Sequence, residues 1–242
     1  MMRGKKQLGI IYSLWFILML VVNYITATDV GMVADQDPAI IQPAGYVFSI
    51  WGIIYLLLFV WIVRLIFSKH NKNRIYESVH YWPIANFILN GLWIIAFTEG
   101  WYLASVIIII ALLITLIFIY KNISRVSSHW FDRLPFSIYF GWVTVATLVN
   151  IMTWINEMGI EEVFGFDEYQ LTLALLIMGT MIAVFVSLIN RDWLYPLVFA
   201  WAYTGIIVET DYQLFWLTVV CGASIFFHLL VSVLTGIKRI RQ

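Results

Sequence analysis

Three groups of aromatic and amide side chains recur at helical spacing in this chain. Phe48, Trp51 and Tyr55 stand at i, i+3 and i+7, Asn90, Trp93 and Phe97 repeat that interval, and Trp142, Ala146, Asn150 and Trp154 form a row of i+4 steps. Residues so spaced share one face of a helix. Rings on such a face can stack against a flat apolar molecule, and amides among them supply donors and acceptors. The chemistry is therefore noncovalent recognition in a mostly apolar pocket with a few polar handles. The same rows also suit helix–helix packing, where Asn amides join helices at about 1 kcal/mol, and spacing alone leaves both readings open.

Other chemistry finds no support. The sequence holds no HExxH, P-loop, GxSxG or paired-carboxylate arrangement, so hydrolytic, ATP-driven and metal-assisted reactions lack their residues, and no enzyme is expected. The one cysteine, Cys221, reads as a small packing residue. His228 is the only histidine well inside an apolar run and reads as a hydrogen-bonded packing residue, which leaves a bis-histidine haem without its second ligand.

The elements that must hold these rows are membrane helices. Hydrophobic residues make up 62% of the 242 and charged residues 12%, too much apolar surface for a soluble domain to hide. Apolar runs near 8–28, 45–67, 80–98, 101–120, 134–155, 169–190, 193–209 and 213–236 each approach the roughly 20 residues that cross a hydrocarbon core. They are too long and unbroken for barrel strands. The expectation is an all-α integral membrane protein with eight transmembrane helices.

Threaded this way, the charges separate. All fourteen Lys and Arg fall on one face, while Asp29, Asp35, Asp37, Glu99, Glu157, Glu161, Glu162, Asp167, Glu168, Glu209 and Asp211 fall on the other. The positive-inside rule makes the basic face cytoplasmic, with both termini there, in a plasma (inner) membrane. The basic loops are topology signals, and no nucleic-acid partner is expected. No Asp, Glu, Lys or Arg sits near the centre of a span, which disfavours ion-coupled transport. Arg64 lies near an inner end, where its side chain can snorkel to the surface. The first run reads as a retained helix because Thr26-Ala27-Thr28 makes a poor cleavage site.

At the aromatic rows the chain resembles the TspO/MBR (translocator protein, tryptophan-rich sensory protein) family. Pro43-Ala44-Gly45-Tyr46-Val47-Phe48 with Trp51 and Tyr55 is similar to the opening of that family's second helix. Leu89-Asn90-Gly91-Leu92-Trp93 with Phe97 resembles its third-helix motif, and Trp142 to Asn150 with Trp154 and Asn156 its fifth. Three departures stand out. Phe48 and Trp51 are three residues apart where the family has four, Ala44 and Tyr46 replace Pro and Trp, and Ser105 and Val106 occupy the region of a fourth-helix acid.

The resemblance, which covers about residues 8–156, implies a five-helix bundle over 1–156 and a homodimer; the apolar runs beyond it read as a three-helix membrane extension over 157–242. The resemblance also implies a ligand site built from Tyr46, Phe48, Trp51, Tyr55, Asn90, Trp93, Trp142, Ala146, Asn150 and Trp154, capped by the loop 29–42 with Asp35, Asp37 and Pro38, and a bound tetrapyrrole. The acidic outer rim suits a neutral or cationic ligand better than a porphyrin carboxylate. The expected function is a binder, sensor or facilitator of a flat hydrophobic molecule. An uncoupled transporter and a ligand-free structural partner are the alternatives. A fainter echo of the fifth-helix pattern, Pro196 with Trp201, Ala202, Thr204 and Gly205, hints at an internal repeat.

Overall fold

The computed structural model describes residues 2–34, 39–67, 73–126 and 130–240. Asp35, Asp37 and Pro38 of the expected cap, with Lys69, Lys72 and Arg241, lie outside the described residues. The elements run α1 (Met2–Ala34), a 3-10 turn (Gly45–Ser49), α2 (Ile50–Phe67), α3 (Asn73–Val79), α4 (Trp82–Thr98), α5 (Tyr102–Val126), α6 (Trp130–Glu157), α7 (Glu168–Asn190), α8 (Tyr195–Glu209) and α9 (Phe215–Ile240). An apolar chain in lipid must satisfy its backbone within each segment, and helices do so.

Among the described residues, six helical segments are long and apolar enough to cross a membrane: Gln7–Thr26, Gly45–Phe67, Tyr102–Val126, Trp130–Glu157, Glu168–Asn190 and Phe215–Ile237. The other two expected spans are short, α4 at 17 residues and α8 at 15. At about 1.5 Å per residue they reach only about 26 and 22 Å, against a hydrocarbon core of about 30 Å. Both start beside a proline and end in a tight turn. The structure also differs from the sequence reading at two connections. Residues 29–34 of the expected cap loop continue α1, and α3 forms where a plain loop was expected.

By contact the chain falls into two compact units, Met1–Asp35 with Trp51–Phe140, and Gln36–Ile50 with Gly141–Gln242. In the first, α4 packs on α1 and α5; in the second, α8 packs on α7 and α9.

One local pattern occurs in both units. A helix or turn closes on a residue with positive φ, His80 at 44° and Arg191 at 48°. Each is followed two positions on by a tryptophan, Trp82 or Trp193, and then by the short helix. The short helices end alike. Glu99, Gly100 and Trp101 donate backbone N–H groups to Ile95, Phe97 and Ala96, and Thr210, Asp211 and Tyr212 donate to Ile206, Val208 and Ile207. Donors and acceptors match at one constant spacing along the chain, and the long helices α5 and α9 follow. The repeat thus relates α8 to α4 rather than to α6, where the sequence echo pointed.

Candidate functional site

In the first unit four of the expected site residues meet. Trp51 on α2 stacks on Tyr55 one turn later, with ring centroids 5.5 Å apart. It also meets Trp93 of α4 at 5.9 Å and the edge of Tyr139 on α6 at 5.7 Å. Beneath the rings runs a chain of hydrogen bonds. The Tyr55 hydroxyl donates to Asn23 Oδ1 at 2.9 Å, Asn23 Nδ2 to Asn90 Oδ1 at 2.8 Å, and Asn90 Nδ2 to the Tyr139 hydroxyl oxygen at 2.9 Å. Asn90 and Tyr139 are fully buried, while Trp51, Tyr55 and Asn23 are half-buried.

Asn23 and Tyr139 are site residues the sequence reading missed. Asn23 did carry a signal, since it is an amide inside the first apolar run, where a polar side chain needs a partner.

In the second unit the ring of Phe48 meets Trp142 edge-on at 5.7 Å. Phe48 does not continue the α2 row: it sits in the 3-10 turn, and α2 begins only at Ile50. Tyr46 is exposed and turns its ring against Trp201 of α8 at 5.3 Å. The stretch 43–48 is seated on α8. Trp201 Nε1 donates to the Val47 carbonyl at 3.1 Å, and the Ala44 N–H donates to the Gly205 carbonyl at 3.1 Å. A Cβ at Gly205 would stand 2.2 Å from Val47 Cγ2, so only glycine permits this approach. Along α6, Trp142 and Asn150 are buried, and Ala146 and Trp154 half-buried. The Trp154 Nε1 atom is buried with no acceptor among the described residues. Asn156 donates to Glu168 Oε1 at 2.8 Å, which gives that amide a structural use.

Two other groups differ from expectation. Arg64 does not simply snorkel: its guanidinium pairs with Asp132 at 3.0 Å and lies over the Phe131 ring at 4.9 Å. The nearby Tyr76 hydroxyl donates to the Trp61 carbonyl, and burial raises its pKa, with Arg64 drawing it partly back. His228 is packed as expected, against Phe199 and Tyr203 at 5.6 and 5.4 Å. It is not hydrogen-bonded: neither ring nitrogen has a partner among the described residues.

Helices able to cross a membrane, enclosing ring clusters threaded by amides, define a multi-pass membrane protein of the binder or transporter class. The chain belongs to the TSPO-like protein family, whose model matches residues 9–234. That match runs past residue 156, where the motif resemblance stops, and into α9, so the C-terminal helices are part of the family pattern. No curated protein and no solved structure matches the chain.

Proposed function

We propose that the chain binds a flat, hydrophobic small molecule, with tetrapyrroles among the candidates, as a non-enzymatic receptor or facilitator. The observation that carries this reading is the Trp51–Tyr55–Trp93 ring cluster over the Tyr55–Asn23–Asn90–Tyr139 hydrogen-bond chain. Rings give stacking area, and the Tyr55 hydroxyl and the Asn23 amide are neutral polar groups beside them. The second unit carries a separate set of groups, Phe48 with Trp142 and the Trp154 N–H that has no acceptor among the described residues. Loop carboxylates on the expected outer face favour a ligand without negative charge.

The test is a fluorescence titration of the purified protein with protoporphyrin and with its dimethyl ester. Saturable tryptophan quenching is expected, tighter for the ester, and lost in Trp51→Ala and Trp93→Ala measured where each variant is still folded, although truncating these rings lowers the melting temperature. Quenching that rises linearly with either probe, or that survives both substitutions, refutes a specific site.

A transporter reading draws support from the repeated short-helix module of α4 and α8, because internal repeats underlie many carriers. It requires faster flux of the ester into proteoliposomes than into empty vesicles. Eight crossings with the basic loops on the cytoplasmic side belong to the same proposal. They require labels placed at 157–168 and in the first residues to report opposite compartments.

A further inference from the structure

The segment joining α6 to α7 ends in a tip that neither folding preference nor packing accounts for. Val163 and Phe166 exchange both backbone hydrogen bonds, at 3.0 and 3.1 Å, and the two residues between them have positive φ, Phe164 at 55° and Gly165 at 81°. This is a two-residue hairpin turn of the kind that calls for Asn, Asp or Gly at its first central position. A bulky residue there is a backbone outlier. The Phe164 side chain recovers nothing by burial within the chain, since it is 98% exposed. Phe166, Met158 and Ile160 beside it are exposed as well.

The charges around the tip have one sign. Residues 157–168 carry five carboxylates and no Lys or Arg. Asp167 caps α7 in a capping box with Gln170, and Glu168 accepts from Ile40 N–H and Asn156. Glu157, Glu161 and Glu162 remain exposed.

We propose that the Val163–Phe166 hairpin is a docking finger for a partner protein, with Phe164 entering an apolar pocket whose rim carries Lys or Arg facing Glu161 and Glu162. Aromatic side chains that fill a partner's pocket inside a polar rim carry much of the energy of protein interfaces, and complementary charge on the rims sets specificity. A bilayer fits less well. Segments that lie on membranes carry cations on their polar side, whereas this one carries only carboxylates. The proposal is independent of the ligand site.

The test uses the full chain in its own membrane, with a photo-reactive phenylalanine analogue at position 166. One discrete protein adduct is expected. It should fall by at least about tenfold in Phe164→Asn and in Glu161→Lys/Glu162→Lys, weaken at raised salt, and map by mass spectrometry to a partner peptide flanked by Lys or Arg. Phe164→Asn should leave the melting temperature unchanged or raised, because Asn tolerates this backbone conformation. A lipid adduct, no adduct, an adduct insensitive to both variants or mapped to an acidic or uncharged peptide, or a lowered melting temperature in Phe164→Asn overturns the proposal.

Discussion

Gly205→Ala puts the role of α8 to the test. The added Cβ would lie 2.2 Å from Val47 Cγ2 and 3.1 Å from Pro43 Cβ. An ordinary carbon–carbon contact is about 3.5–4.0 Å, so the 43–48 segment must retreat by about 1.5 Å or Val47 must repack. Val47 is fully buried and β-branched, which leaves it few rotamers. Retreat breaks the Trp201-to-Val47 and Ala44-to-Gly205 hydrogen bonds, both 3.1 Å now. Overpacking costs about 1–3 kcal/mol and two lost hydrogen bonds about 0.5–1.5 kcal/mol each, so a destabilisation of about 2–6 kcal/mol is expected. Phe48 moves with the segment and loses its edge contact with Trp142. A contact of that type contributes about 0.5–1.5 kcal/mol, which is about 2–12-fold in affinity for a ligand that uses it. Thermal melts in lipid nanodiscs and the porphyrin-ester titration read the two effects separately. Adding Val47→Ala removes the clashing methyl group and should restore much of both. Wild-type stability in Gly205→Ala alone, or no recovery in the double variant, would refute the argument that α8 seats the motif.

Three further substitutions test the packing that surrounds the sites. Asn90→Ala removes two links of the buried chain and should cost about 1–3 kcal/mol by thermal melt, more than Tyr55→Phe, which removes one; the reverse order would contradict the chain as described. Asp132→Asn leaves the Arg64 guanidinium, 23% exposed, without its countercharge and should cost about 3–5 kcal/mol, whereas Arg64→Met/Asp132→Leu should come close to wild type; equal losses would mean the pair is not coupled. Gly179→Ala sets a Cβ 2.7 Å from the Tyr203 hydroxyl and should disrupt that hydroxyl's bond to the Leu176 carbonyl, at about 1–3 kcal/mol. Tyr203→Phe in that background should recover part of the loss in the same melt, because it removes the clashing oxygen.

Much of this was legible in the residues because lipid imposes one backbone solution on long apolar runs. The six segments long enough to cross, among the described residues, lie within or close to the apolar runs read from the sequence. The short helices were less legible. A run such as 193–209 looks like a full span, but Trp193 and Leu194 precede the helix, held by a turn in which Asp192 Oδ1 accepts from the Leu194 and Tyr195 N–H groups at 2.9 and 3.3 Å. The α4 row proved informative, because Asn90 and Trp93 do share a cluster. Phe48 lies in the 3-10 turn and meets Trp142, whereas Trp51 and Tyr55 lie on α2 and stack on each other, and spacing gave no sign of that division. Asn23, Tyr139 and Trp201 acquire their roles only through helices brought together by folding, and spacing within one segment carries no trace of that.

The hydrogen-bond chain in the first unit has a direction, and the direction bears on both packing and binding. Tyr55 donates to Asn23, Asn23 to Asn90 and Asn90 to Tyr139, so each link donates the same way, from the half-buried end to the fully buried one. Aligned links polarise one another. A molecule that offers an acceptor to the Tyr55 hydroxyl competes with Asn23 Oδ1, and that competition acts on every later link. The mutual strengthening of the links also serves interhelical packing, so packing and binding draw on the same chain. In the proposed receptor the chain would carry a further use, because Tyr55 of α2 is tied to three other helices: α1 through Asn23, α4 through Asn90 and α6 through Tyr139. Under the proposed function, a ligand would be oriented by neutral groups already ordered before it arrives, at lower desolvation cost than an ion would carry.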